Sequence, residues 1–197
     1  MEQNKPNQNS GRWKLLAVLA VCASPLIFSY LTYYVIKPTG RTNYGTLIDP
    51  RAHPMPALGA TDLEGKPVAL DAYKGKWVML QASPGHCQQA CKDQLVKIRQ
   101  LRLMQGKGME RIERVWLVTD NAPLDIQLMK VIDGARMLRV KPEALKAWLP
   151  AEPGTDVTEH LYLVDPLGNL MMRFPKDPDP KKVTKDIGKL LKASAIG

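Results

Sequence analysis

Cysteine is scarce in this 197-residue chain. There are three, and Cys22 lies inside an N-terminal apolar run, which leaves one pair, Cys87 and Cys91, for everything else. One pair is too few for a disulfide scaffold, and a four-residue loop adds little stability as a staple. Histidine is equally scarce: His53, His86 and His160. Charge of one sign never forms a block of five or six residues, although the net charge is +9. No nucleic-acid motif accompanies that excess, so no nucleic-acid partner is expected. The modest basic excess between Lys92 and Arg114 reads as a solvated helix face. The alternative is a docking surface for an anionic membrane or an acidic partner.

Charge is absent altogether over the 22 residues Leu15 to Ile36. That length crosses a hydrocarbon core of roughly 30 Å. Arg12 and Lys14 flank it on one side, Lys37 and Pro38 on the other. Trp13 marks one boundary and Tyr30, Tyr33 and Tyr34 the other, as an aromatic belt does. Lys5, Arg12 and Lys14 before the segment balance Lys37, Arg41 and Arg51 after it, so charge alone does not orient it. The short N-terminal tail favours a signal anchor with the bulk of the chain translocated. The apolar run exceeds the h-region of a cleaved signal peptide. Leu19-Ala20-Val21-Cys22 faintly resembles a lipoprotein cleavage site, but Val21 is too large for the residue before such a cysteine. Cys22 is therefore expected to be inert in the membrane. The expected organisation is a cytoplasmic tail (1–14), a transmembrane signal anchor in the lipid bilayer (15–36), an extended Pro- and Gly-rich linker (37–56) and one domain (57–197).

Within the domain, Leu58 to Leu70 predicts a hairpin around Asp62-Leu63-Glu64-Gly65. Trp77–Ala82 and Val115–Thr119 have the length and apolar content of buried strands. Between them, residues 88–104 place Cys91, Leu95, Ile98 and Leu101 on one helical face, and Gly106 and Gly108 end that helix. Leu124 to Trp148 predicts two helical pieces broken near Gly134 and Pro142. Leu161–Val164 and Leu170–Arg173 flank an Asp165-Pro166-Leu167-Gly168-Asn169 turn, and Asp179-Pro180 opens a last helix. Two strands joined through a helix imply a right-handed parallel crossover, and the late hairpin adds antiparallel strands. The fold class is α/β, a thioredoxin-like sandwich with a central mixed sheet and flanking helices, behind one N-terminal transmembrane helix.

The cysteines then fall at the helix N-terminus beyond the first central strand, on the side where ligands bind in such sheets. Uncapped N–H groups and the helix dipole there favour thiolate, so Cys87 is expected to have a lowered pKa, helped by His86. Cys91 lies four residues on, on the same helix face. The two sulfurs can meet in a disulfide or on a soft metal ion. Two thiolates with one imidazole suit Cu(I). His160, opening the Leu161 strand, is the candidate third ligand. His53 reads as solvated, and Met171 and Met172 as one core and one outer residue of a strand. Asp120 and Asp125 read as turn and cap residues.

At these residues the chain resembles the Sco/SenC family of membrane-anchored copper proteins, which assist assembly of the copper centre of cytochrome c oxidase. The likeness runs through Gly65-Lys66-Pro67, Gly75-Lys76-Trp77, Cys87…Cys91, Thr119-Asp120-Asn121-Ala122-Pro123-Leu124-Asp125 and Tyr162-Leu163-Val164-Asp165-Pro166-Leu167-Gly168. The family has proline after each cysteine; here Gln88 and Lys92 stand there. The family's copper-binding histidine lies about five residues before the hairpin tyrosine, where this chain has Val157, with His160 two residues before. The resemblance implies copper held by Cys87 and Cys91, with either His160 standing in for the displaced family histidine or the third ligand missing. It implies a cytochrome c oxidase subunit or another copper chaperone as partner. It also implies a single-pass protein of the bacterial inner membrane with its domain in the periplasm. The residues leave two further functions open: thiol–disulfide exchange, with Cys87 attacking and Cys91 resolving, and an interaction module without chemistry.

Overall fold

The computed structural model describes residues 8–36 and 43–196. Residues 1–7 of the expected tail and 37–42 of the expected linker, with Lys5, Lys37 and Arg41, lie outside them. The chain divides into two compact units, Met1–Thr42 and Asn43–Gly197.

The described part of the first unit is helix α1, Gln8–Tyr30, continued by a π-helical segment, Leu31–Ile36. Gly11–Ile36 is 26 residues of helix, long and apolar enough to cross a bilayer. Pro25 lacks the N–H that would bond the carbonyl of Val21, and Ser24 Oγ donates to that carbonyl at 2.8 Å instead. Such repair is what a helix in hydrocarbon requires. Tyr30 and Tyr33 both pack against Tyr34 at one end, with ring centroids 4.5 and 4.8 Å from its ring, the first tilted and the second edge-to-face. Cys22 is free and exposed on this helix.

The second unit is a six-stranded sheet whose strands are, in chain order, β1 (Thr46–Leu47), β2 (Trp77–Ser83), β3 (Ile112–Val118), β4 (Arg136–Arg139), β5 (Leu161–Val164) and β6 (Leu170–Arg173), arranged β1-β6-β5-β2-β3-β4. Its centre is β2, Trp77–Ser83, buried at every position because helices cover both faces. Strand β3, Ile112–Val118, runs parallel to β2 after the crossover helix α2, Gln89–Leu103. The hairpin β5, Leu161–Val164, and β6, Leu170–Arg173, pairs antiparallel on the other side of β2. The last helix, α5, spans Pro180–Ala193. Asp179 caps it by accepting from Lys181 N and Lys182 N.

Alternation along the strands sorts the core into two faces. Val78, Leu80, Ala82, Val115, Leu117, Tyr162 and Val164 pack with Leu145 and Trp148 of α4, Pro142–Trp148. Trp77, Met79, Ile112, Leu161 and Leu163 pack under α2 and α5. Trp116 and Val118 continue that second face beneath Leu95, Leu128 and Ile132. This is the thioredoxin-like sandwich.

Three segments differ from the sequence expectation. Residues 135–140 are not helical: Arg136–Arg139 forms strand β4, parallel to β3 at the sheet edge, between the short helix α3, Ile126–Val131, and α4. A four-residue strand with arginine at both ends carries too little apolar periodicity to stand out. The Leu58–Leu70 hairpin is a turn around Asp62 with a single bridge, Thr61 to Pro67, rather than paired strands. The described part of the expected linker is folded. Thr46–Leu47 forms β1 and pairs with β6. Tyr44 N and Gly45 N both donate to Asp186 Oδ2, at 2.6 and 3.0 Å. A Cβ on Gly45 would lie 2.6 Å from Met172 Sδ, so this stretch is pressed onto β6.

Candidate functional site

Strand β2 delivers the site. It ends at Ser83, and Pro84-Gly85-His86 turns the chain to Cys87 and Gln88 before α2 begins at Gln89. Gln88 is the N-cap residue, yet its side chain makes no capping bond. The first N–H groups of α2 are thus left without a side-chain acceptor beside the sulfurs. Cys91 is the third helical residue, one turn beyond Cys87. The two are joined in a disulfide, with Cα atoms 5.4 Å apart. Cys87 is 7% exposed and packs with Leu95, Trp116 and Leu128; Cys91 is partly buried.

Beneath the pair stands Ser83, on the β2 face that meets α2. Its Oγ accepts a hydrogen bond from Trp116 Nε1 at 2.7 Å and lies 3.2 Å from Cys91 Sγ. Trp116 is next door because β3 pairs with β2 in parallel register.

The turn before Cys87 is fixed from the β3 side. Gly85 N donates to Asp120 Oδ1 at 2.8 Å. A Cβ on Gly85 would fall 2.9 Å from that oxygen and 3.0 Å from the carbonyl oxygen of Ala122, so only glycine fits. Arg139 of β4 holds the far side of this loop, donating to the carbonyls of Asp120 and Ala122 at 2.6 and 3.1 Å. Asp125 caps α3 through Gln127 N and Leu128 N, and pairs with Lys92 Nζ at 2.6 Å, tying α2 to α3. The Lys92 ammonium, with the Leu128 and Gln127 N–H groups, holds the Asp125 carboxyl below the usual carboxylate range. Asp120 and Asp125 are the turn and cap residues the sequence suggests.

The structure brings Cys87 and Cys91 together and leaves His160 apart from them. His160 is fully buried. It shares the strand parity of Tyr162, whose ring stands 6.1 Å away, and therefore faces the α4 side of the sheet. The cysteine helix covers the opposite side. Its Nδ1 donates to the carbonyl of Phe174 at 3.0 Å, since a carbonyl can only accept. Its Nε2 lies 2.7 Å from the Thr155 hydroxyl oxygen, which itself donates to the Glu152 carbonyl at 2.8 Å, and 3.5 Å from the Glu152 backbone N. Val157, at the family's histidine position, is buried in that same α4-side core. His86 is exposed beside Cys87, and His53 bonds the carbonyl of Asp49 at 3.3 Å. Among the described residues no group of three or more His, Cys, Asp or Glu could hold a metal ion. The donor set at the site is two soft sulfurs, those of Cys87 and Cys91.

Sequence reading misses Ser83, Trp116, Gly85 and Arg139. Period-two counting from Trp77 does put Ser83 on the helix-facing side, which is the one signal available for it.

Residues 77–194 match the model for a transmembrane-like, thioredoxin-like C-terminal domain, and residues 6–35 match that for a transmembrane-like N-terminal domain. No curated protein matches the chain. Among solved structures, yeast Sco1 with copper bound aligns at 17% identity and TM-score 0.53, over 79% of this chain and 97% of its own. The apo form of Sco1 from Thermus thermophilus aligns at 21% identity and TM-score 0.53, over 79% and 98%. A candidate protein disulfide isomerase from Bacteroides thetaiotaomicron aligns at 19% identity and TM-score 0.55, over 77% and 95%. The resemblance to Sco/SenC proteins thus holds as a likeness of fold. The chain belongs to the transmembrane-like family whose C-terminal domain is thioredoxin-like.

Proposed function

We propose that this protein is a membrane-anchored dithiol protein whose Cys87–Cys91 pair exchanges disulfides with a partner and, when reduced, accepts Cu(I). The observation that carries the reading is the Cys87–Cys91 disulfide at the uncapped start of α2. In the reduced protein Cys87 attacks a partner disulfide. A new S–S bond forms to Cys87, the partner's S–S bond breaks, and the released sulfur takes a proton. Cys91 then loses its proton and attacks the Cys87 sulfur, restoring the internal disulfide and freeing the second partner thiol. Two electrons pass to the partner. Cys87 suits the attacking role by its place in the turn ahead of the first N–H groups of α2; being only 7% exposed, its sulfur must be reached between exposed His86 and Gln88. Cys91 suits the resolving role because it is fixed in the helix above Ser83.

The likeness to copper-bound Sco1 favours the second half of the reading. Cys87 and Cys91 would hold the ion as thiolates, a soft donor pair that selects Cu(I). Bound copper supplies a transferable ion for a partner's copper centre. Service to cytochrome c oxidase, on the periplasmic side of a bacterial inner membrane, is the setting that fits the anchor and the fold.

Two measurements separate the halves. Disulfide reduction by the reduced protein should require Cys87, proceed in the presence of a chelator, and trap a mixed disulfide in Cys91→Ser. An inactive wild type under chelation defeats the exchange reading. Copper retained after Cu(I) loading and desalting should approach one ion per chain and vanish in Cys87→Ser. A wild type that holds no copper defeats the copper reading.

A further inference from the structure

Helix α5 carries Lys181, Lys182, Lys185, Lys189 and Lys192. Its only acidic residue, Asp186, is buried and occupied by Tyr44 N, Gly45 N and Lys189. Every exposed charge on this helix is therefore positive. Its apolar side, Val183, Ile187 and Leu191, is spent on the core. Beside it, Leu103 and Met104 at the end of α2 are each about half exposed, with Met104 Sδ 3.7 Å from Thr184 Oγ1 of α5. Ile196, also half exposed, follows the C-terminal end of α5. Lysines interleaved with a few outward apolar side chains are the composition of a surface that settles on anionic lipid. The chain also enters the domain at this helix, where Asp186 grips residues 44 and 45. Six residues of sequence, 37–42, lead there from the apolar segment.

We infer that the lysine face of α5, with Leu103, Met104 and Ile196 beside it, docks on the anionic phospholipid headgroups of the membrane that holds the anchor. Docking by this face leaves the α4 side of the sheet outward. The inference does not rest on the cysteine chemistry.

The test uses the full chain reconstituted in vesicles of phosphatidylcholine alone or with added phosphatidylglycerol. Lysines are trace-acetylated and read by mass spectrometry. Lys181, Lys185 and Lys192 should react several-fold more slowly in the anionic vesicles, and high salt should remove the difference. Lys141 and Lys146, at α4 on the other side of the sheet, should react equally in both. In a Lys181→Gln/Lys185→Gln/Lys192→Gln variant, Lys182 should lose its protection, since each lysine near an anionic surface contributes roughly fivefold to association. Equal rates for the α5 lysines in both vesicle types overturn the inference. Protection that appears only on adding an acidic protein overturns it too, and assigns the face to a protein partner.

Discussion

Ser83 Oγ stands 3.2 Å from Cys91 Sγ while accepting the indole N–H of Trp116 at 2.7 Å. A disulfide sulfur has no proton to give, so in the oxidised pair the Ser83 hydroxyl is the donor and Cys91 the acceptor. Trp116 satisfies the serine oxygen, which frees its proton for sulfur. A reduced Cys91 carries more negative charge than a disulfide sulfur and gains more from that donor. Ser83→Ala should therefore make the disulfide harder to reduce, shifting its potential by roughly −20 to −40 mV. Ser83→Thr, which keeps the hydroxyl, should restore the original value. Titration against a glutathione buffer reads the shift, and an unchanged potential in Ser83→Ala removes Ser83 from the redox pair.

His160 is set for structure by its contacts. With both ring nitrogens bonded and the ring buried, His160→Ala should cost about 2–4 kcal/mol by denaturant titration. Copper retained per folded chain should be the same as in the wild type. A loss of copper as complete as that in Cys87→Ser would restore His160 as a ligand.

The Lys92–Asp125 pair couples the site to acid stability. Asp125 is held below its ordinary pKa, so the folded state binds fewer protons there than the unfolded chain does. Its contribution is full above the unfolded value, about 3.9, and fades as pH falls through the lower folded value. Asp125→Asn should destabilise the protein at neutral pH and narrow its difference from wild type below about pH 4. Thermal melts across that range provide the check; a difference that stays constant with pH contradicts the coupling.

Gly85→Ala should disturb the cysteine turn directly. The added carbon meets Asp120, Leu124 and the Ala122 backbone at once, and that backbone is held by Arg139. Overpacking of this kind costs about 1–3 kcal/mol. The larger effect should appear in exchange kinetics, with slower reduction of the disulfide in chains that remain folded. Unaltered exchange would mean that the turn does not set the sulfur geometry.

What was legible in the sequence follows the strength of local signals. The strands starting at Trp77 and Leu161 are apolar runs bounded by turn residues, and Asp179-Pro180 is a cap followed by proline at N1, so these elements stand where the sequence puts them. Arg136–Arg139 and Thr46–Leu47 become strands because a neighbouring strand offers an open edge, which no local pattern records. The cysteine pair was legible from its spacing. The side chains beneath and around it were not, because Ser83 meets Cys91 through helix packing, and Trp116 meets Ser83 through pairing with a strand more than thirty residues away. The surroundings of His160 are hidden for a related reason: nearness in sequence to the hairpin says nothing about which face of the sheet a side chain takes.

The two outer strands bear on a different matter, the crowding of anchored molecules in one plane. An open strand edge invites pairing with a neighbouring copy, and confinement to a membrane raises the rate of such encounters. At one rim Thr61 occupies the edge of β4 by exchanging both backbone bonds with Arg139, at 3.0 and 2.8 Å, and arginine lies at both ends of that strand. At the other rim β1 is only two residues long. Neither rim offers a neighbouring copy a long bare ladder to pair with, as a protein crowded in one plane requires.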